Sequence, residues 1–360
     1  MNPPIPIVAL TLGDVAGIGP EVVARAWAEG HIRRDCRPFV VGRAEVVRRA
    51  VAQVGAGHRV VEIDRPEAAF DLGDAIPCLD LSTEDLSGVV PGRVDPRAGR
   101  AARDYLVGAI DLALAGRVDA IVTLPLNKEA LRAGGVMHPG HTEILAERCG
   151  VDDVSMMLYI AGEMPGTGLG VVHATLHVAL REVFDLLTID RVYRAIALAD
   201  RALRPLTLGR PPRIAVAGLN PHAGESGLFG VEESTVIAPA VARAASAGID
   251  VSGPIAADTL FAKALAGGYD AVVAMYHDQG HIPVKLLGFD VDPATGVWRS
   301  LSGVNITLGL KVIRTSVDHG TAFDIAGQGI ANEDSLIEAI EYAERLAANH
   351  ARVGLAGNTA

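Results

Sequence analysis

Aromatic residues are scarce in this chain, at 4% of 360 residues, so aliphatic side chains have to fill its core. With 49% of residues apolar there is enough material for that core, and wholesale disorder is excluded. Cysteine is rarer still. Cys36, Cys78 and Cys149 are odd in number, far apart and form no CxxC pair, so neither a disulfide framework nor a cysteine zinc site is expected. No apolar run reaches the roughly 20 residues of a membrane span. The opening segment MNPPIPIVAL has no basic stretch ahead of its short apolar run, so it does not read as a signal peptide. Positive charge is also short, with 32 Lys and Arg against 43 Asp and Glu and a net charge of −11. That balance argues against nucleic acid or a membrane surface as partner. A small anionic substrate stays compatible, because a local Lys/Arg cluster can reverse the sign inside one cleft. The expectation is a cytoplasmic protein.

What is present is alternation. Val- and Ile-rich runs at 5–12, 38–42, 119–125, 155–161, 169–175, 213–219, 270–276 and 304–310 read as strands. Helical patterns lie between them, including 97–114, 189–202, 232–247 and 335–350. This order implies an α/β protein with mostly parallel strands covered by helices. The length suits about two domains of roughly 150 residues. No linker divides the chain, so we expect crossing segments: residues 1–125 with 304–360 in one domain and 126–303 in the other. The segment FDVDPATGVWRSLSG (289–303) reads as a surface loop.

Three strand runs lead into histidine: LGVVHAT to His177, RIAVAGL to His222 and DAVVAMY to His277. Carboxyl ends of parallel strands form a ligand-binding rim, where three imidazoles could hold a metal and leave positions open for substrate. Three unrelated histidines used for caps or solvent contact would give the same pattern. TLGDVAGIGPE (11–21) reads as a tight strand-to-helix turn, either structural or cradling an anion. After the run at 119–125, PLNKEALRAGGVMHPGHTE places Lys128, His138, His141 and Thr142 together, with Gly140 expected to permit sharp backbone geometry. Such donors at a helix start suit a hydroxyl- or phosphate-bearing substrate. Lys285, Asn305 and Arg314 flank the 289–303 segment. Arg314 sits in the apolar run VIRTSV, where burial would require an anionic partner, either substrate or Asp318. VDHGTAFDIAGQGIANEDS (317–335) offers two small-residue clusters with Asp324 and Asn332 as polar anchors. It reads as a nucleotide-closing loop or a plain surface turn.

TLGDVAGIGPE, PGHTE, GLNPHAGE, MYHDQG and VNITLGL with IRTSVDHGTA closely resemble the 4-hydroxythreonine-4-phosphate dehydrogenase family of vitamin B6 synthesis, from about residue 5 to about 345. The last segment also resembles the cofactor loop of isopropylmalate dehydrogenases. The resemblance implies two α/β/α domains of isocitrate/isopropylmalate dehydrogenase type with an interdomain cleft, in a homodimer with shared active sites. It implies NAD or NADP and a divalent metal (Zn, Mg, Mn or Co) on His177, His222 and His277. Substrate contacts fall on His141, Thr142, Lys285, Asn305 and Arg314. Gly320, Thr321, Asp324 and Asn332 fall in the cofactor loop, and Lys128 and Asp258 are candidates for proton transfer. The implied activity is oxidation of a small anionic hydroxy acid, with decarboxylation, on a substrate like 4-hydroxythreonine 4-phosphate.

The chain departs from the family at three places. Val15 replaces a proline, PLNK replaces PVHK, and the 289–303 segment is longer than usual. Related branches act on four-carbon sugar-acid phosphates or on cis-dihydrodiol carboxylates such as terephthalate dihydrodiol, and these are alternative substrates. Acyl or phosphoryl transfer on a related fold is the alternative of another class.

Overall fold

The computed structural model describes residues 5–357 apart from 71, 153, 162–167, 208–209, 292–297 and 302. Two compact units result. One takes the chain up to Val154 and again Leu310–Arg352, and the other is Ser155–Gly309 with the residues from Val353. The chain crosses at 154/155 and 309/310, not at 125/126 and 303/304. The reason is packing: helices Lys128–Ala133 and His141–Cys149 lie against helix Pro96–Leu114 of the first unit. Gly99 permits that approach, since a Cβ there would stand 2.2 Å from the Ala130 carbonyl oxygen.

The first unit contributes β1 (Ile7–Thr11), β2 (Arg37–Val41), β3 (Val60–Glu62), β4 (Ile76–Leu79) and β5 (Ala120–Thr123). The second unit follows with β6 (Ser155–Ala161), β7 (Gly168–His173), β8 (Ile214–Ala217), β9 (Val251–Ile255), β10 (Ala271–Ala274), β11 (Phe289–Val291), β12 (Trp298–Leu301) and β13 (Val304–Leu308). Strand β14 (Ile313–Ser316) returns to the first unit. There the order is β3-β4-β2-β1-β5-β14, every pairing parallel. In the second unit the order is β13-β6-β7-β10-β8-β9; the β13–β6 and β6–β7 pairings are antiparallel and the rest parallel. Strands β5, β8 and β10 are buried along their whole length. That is the pattern of parallel strands covered on both faces, and it explains why their sequences are continuous aliphatic runs.

Three strands escape the aliphatic-run criterion. β3 is only three residues long, while β4 and β9 carry Pro77 and Pro254. β9 lies at the end of its sheet, where a residue without an N–H is tolerated. The 289–303 segment is not simply a loop. Its ends pair as the antiparallel ribbon β11–β12, with Phe289 opposite Leu301 and Val291 opposite Trp298. Residues 292–297 and 302 of that segment lie outside the described residues.

The second sheet is anchored at the start of β10 by Asp270. Its carboxylate accepts from both terminal nitrogens of Arg210 at 2.7 Å and from the Arg213 backbone N–H at 2.7 Å. Burial alone would raise its pKa, but the hydrogen bonds from Arg210 and Arg213 outweigh it and hold the carboxyl well below the ordinary range. A depressed folded-state value stabilises the fold above the unfolded pKa and loses that contribution as pH falls. Asp270→Asn should therefore cost about 2 kcal/mol at neutral pH, modest because both arginines stay half-exposed. In urea titrations the difference between the two proteins should begin to shrink only as the pH falls below about 4, the unfolded carboxylate range, and should keep shrinking as the pH is lowered further. Equal stability at pH 7 would contradict this anchor.

Candidate active site

In the second unit the parallel neighbours β7, β10 and β8 present their carboxyl ends at one edge. His173 ends β7 and His177 follows it, His277 opens helix His277–Gly288 after β10, and His222 lies in the turn Pro221–Gly227 after β8. The rings of His177 and His277 are 5.6 Å apart with planes tilted by 42°. Two imidazoles this close and not parallel are near enough to share one ion. His277 Nδ1 lies 2.7 Å from an Asp278 carboxylate oxygen. Nδ1 therefore carries the proton, and Nε2 keeps the lone pair. An open cleft of about 530 Å³ lies against both rings, with Leu176, Val178 and Val183 along its apolar wall.

His222 is not brought into that pair. Its side chain is 64% exposed and faces Glu225 at 3.6 Å, with the Phe229 ring edge-on at 6.0 Å between centroids. Among the described residues no group of three or more His, Cys, Asp or Glu is arranged to hold a metal ion. The turn is unusual, with His222, Ala223, Glu225 and Ser226 all at positive φ. Such backbone persists only where its surroundings enforce it. The chain entering the turn is held by Glu233, which accepts from the backbone N–H groups of Leu219 at 2.8 Å and Asn220 at 2.7 Å. Glu233 is not recognisable from sequence alone, since its partners are 13 and 14 residues away.

Of the other expected residues in this unit, Asn305 stands on β13 opposite Leu158. Its Nδ2 donates to Met156 Sδ, and its Oδ1 is buried with no partner, an acceptor available to a ligand. Lys285 is half-buried on helix His277–Gly288, and Asp258 is exposed in the first turn of helix Ala257–Lys263.

In the first unit, Arg314 on β14 is buried and donates through Nε (3.1 Å) and Nη2 (2.5 Å) to Thr123 Oγ1 on β5. Burial pushes its guanidinium down to about 9. The group is still a cation at neutral pH, and an incoming anion would be strongly attracted to it. His141 opens helix His141–Cys149 close by. Burial and the neighbouring Arg314 charge hold its imidazole well below the usual range, against a hydrogen bond to the Leu124 backbone. The ring is thus neutral, with one nitrogen donating to the Leu124 carbonyl and the other left as an acceptor. Thr142 and Lys128 are exposed, and a Cβ on Gly140 would stand 4.0 Å from Lys128 Cε. Gly140 itself is extended backbone, φ −176°, so the expected sharp geometry is not there. His138 is taken up by Glu147.

The glycine-rich segment after β14 docks onto the turn after β1. The Ile18 N–H donates to the Thr321 carbonyl at 3.0 Å, and a Cβ on Gly17 would stand 2.8 Å from that same oxygen. Buried Glu21 accepts from the backbone N–H groups of Gly327 and, at 2.8 Å, Gly329. TLGDVAGIGPE is therefore a platform for the 319–329 segment, a role the sequence reading left open. Gly320 and Asp324 are exposed on that segment. Asn332 caps the helix Asp334–Gly357, its side-chain oxygen accepting from the Asp334 N–H at 2.9 Å. Asp14 and His319 escaped the sequence reading. Burial pushes the Asp14 carboxyl up to about 6, and Asp14 Oδ2 and His319 Nε2 are both buried with no hydrogen-bond partner.

Similarity to known proteins covers the chain nearly end to end. A Bradyrhizobium diazoefficiens protein, provisionally named as a D-threonate 4-phosphate dehydrogenase, is 51% identical over 94% of this chain and 96% of its own. The D-threonate 4-phosphate dehydrogenase of Cupriavidus necator is 44% identical over 98% of this chain and all of its own. A solved 4-hydroxythreonine-4-phosphate dehydrogenase from Klebsiella pneumoniae is 45% identical and superposes with a TM-score of 0.83, covering 96% of this chain and 99% of that one. These are dehydrogenases, enzymes acting on a CH–OH group, and this α/β chain is one as well. It belongs to the family of the pyridoxal phosphate biosynthetic protein PdxA, whose sequence profile matches residues 34–343.

The Glu21 clamp yields a direct prediction. Hydrogen bonds to a charged acceptor contribute about 1.5–3 kcal/mol each. Glu21→Ala should therefore speed amide hydrogen exchange at Gly327 and Gly329 by roughly tenfold or more. Unchanged protection at those two amides would show that the platform does not hold the segment.

Proposed function

We propose that the chain oxidises the carbon-3 hydroxyl of a four-carbon acid 4-phosphate, with D-threonate 4-phosphate as the leading substrate, and passes the hydride to NAD or NADP. Full-length similarity to dehydrogenases named for such substrates supports the substrate class. The structural observation that carries the reading is the tilted His177–His277 pair at the β7–β10 edge. 4-Hydroxythreonine 4-phosphate is the second reading, favoured by the family description and by the Klebsiella pneumoniae structure.

The donor set suits a divalent cation. The His177 and His277 rings are 5.6 Å apart and not parallel, and His222 comes from the strand next to that of His277. When bound by His177, His222 and His277, such an ion supplies positive charge that lowers the pKa of the substrate hydroxyl and polarises the new ketone. Asp278 keeps the His277 proton on Nδ1 so that Nε2 is available. In the first unit, Arg314 with neutral His141 and Thr142 holds an anionic group. In the second, Lys285 and the open Oδ1 of Asn305 make polar contacts. The 319–332 segment, with Gly320, Thr321, Asp324 and Asn332, receives the nicotinamide cofactor. Lys128 and Asp258 handle protons. Oxidation at carbon 3 leaves a ketone β to the carboxylate. The bond between carbons 1 and 2 then breaks, carbon dioxide leaves, and the electron pair is taken up as an enolate that is protonated at carbon 2.

A homodimer fits the surface of helix His277–Gly288, where Ile282 and Leu286 are 56% and 78% exposed. No helix among the described residues is long and apolar enough to cross a membrane, and the three cysteines are free and buried. Both features suit the cytoplasm.

The test is a substrate panel of D-threonate 4-phosphate, 4-hydroxythreonine 4-phosphate and a cis-dihydrodiol carboxylate, each with NAD and NADP. We expect reduced cofactor and carbon dioxide in equal amounts from a 4-phosphate substrate, and loss of turnover on chelation with recovery on adding a divalent ion. Arg314→Met should raise KM about 10–100-fold, in line with loss of a charge-assisted contact. Turnover of the dihydrodiol alone, or full activity in chelator, would contradict the reading.

A further inference from the structure

Two more histidines of the second unit, His173 and His281, are buried and take no part in the chemistry above. His281 Nδ1 lies 3.1 Å from the His277 carbonyl oxygen and 3.1 Å from His173 Nε2. A carbonyl oxygen only accepts, so Nδ1 must carry the proton; the other tautomer would set two lone pairs face to face. His173 Nε2 is then the second acceptor of that N–H. The bonds fix the His281 ring, and the ring lies flat on His277, with centroids 3.7 Å apart and planes 8° from parallel. Parallel planes do not meet. His281 therefore cannot aim a lone pair at the same ion as His277, and its place against the ligand ring calls for another role.

Along its edge the His277 ring is held by the hydrogen bond to Asp278. Its face rests on His281, and His281 rests on His173, which is anchored in β7. Gly280 makes room for this stack, since a Cβ there would stand 2.4 Å from His173 Nε2. We propose that His173 and His281 are positioning residues that lock the rotation of the His277 ring, so that its Nε2 is aimed before a divalent cation arrives. The inference rests on the reading of His277 as a ligand. Outer groups of this kind change metal affinity by about 10–100-fold.

The probe is Co(II), followed by its visible absorption and by competition with a chelator. His281→Leu removes both the flat ring and the hydrogen bonds, and should weaken Co(II) binding about 10–100-fold with altered absorption bands and unchanged far-UV circular dichroism. His281→Phe keeps the stacked plane and should bind Co(II) within about threefold of the parent protein, even where loss of the bond to His173 lowers its melting temperature. His277→Ala should abolish binding in the same assay. Parent-like affinity and spectrum in His281→Leu, or equal losses in the Leu and Phe variants, would overturn the positioning role. Parent-like binding by His277→Ala would instead remove the ligand assignment, and the positioning role with it.

Discussion

The close approach of helix His277–Gly288 to strand β7 is the constraint on which the histidine cluster depends. Only a residue without a Cβ fits at position 280, where the helix backbone runs against Val171 and His173. Each neighbour in MYHDQG then has a distinct task. His277 offers Nε2, and Asp278 fixes which nitrogen is protonated. Buried Gln279 accepts from the Met275 N–H at 2.6 Å and donates to the Gly218 carbonyl at 2.7 Å, tying the ends of β10 and β8 together. The strand that delivers His277 is thereby joined to the one that leads to His222. A side chain at position 280 would lift the helix and displace all of these at once.

Carboxylates do the corresponding work elsewhere. Glu233 holds the chain entering a turn whose backbone is strained at four non-glycine residues, and Glu21 holds the 319–329 segment through amides that no side chain could replace. Both are buried, and both act on backbone N–H groups. Buried positive charge is concentrated at Arg314, whose depressed basicity and neutral neighbour His141 leave a site where an anion gains more than it would at the surface.

The parallel strands were legible because burial on both faces forces continuous aliphatic sequence, and His177 and His277 were legible because they directly follow such runs. β4 and β9 were not, since Pro77 and Pro254 break the pattern that local reasoning depends on. Arg314 announced itself as a charge in an apolar run. His173, His281, Glu21 and Glu233 did not. Their partners lie up to 308 residues away in sequence, and nothing local distinguishes a carboxylate that clamps backbone from one that faces solvent. The glycines of TLGDVAGIGPE were visible, but their purpose needed the docked segment to be seen. Asn332, expected at the cofactor, has a visible structural task as a helix cap.

The proposed metal centre takes His177, His222 and His277, of which His177 and His277 lie together in the structure. Anomalous X-ray diffraction from crystals grown with Mn(II) or Co(II) tests it most directly. One strong peak bonded to Nε2 of His277 and to nitrogens of His177 and His222 is expected. A peak that omits His222 or His277, or a metal held elsewhere in the chain, would contradict it.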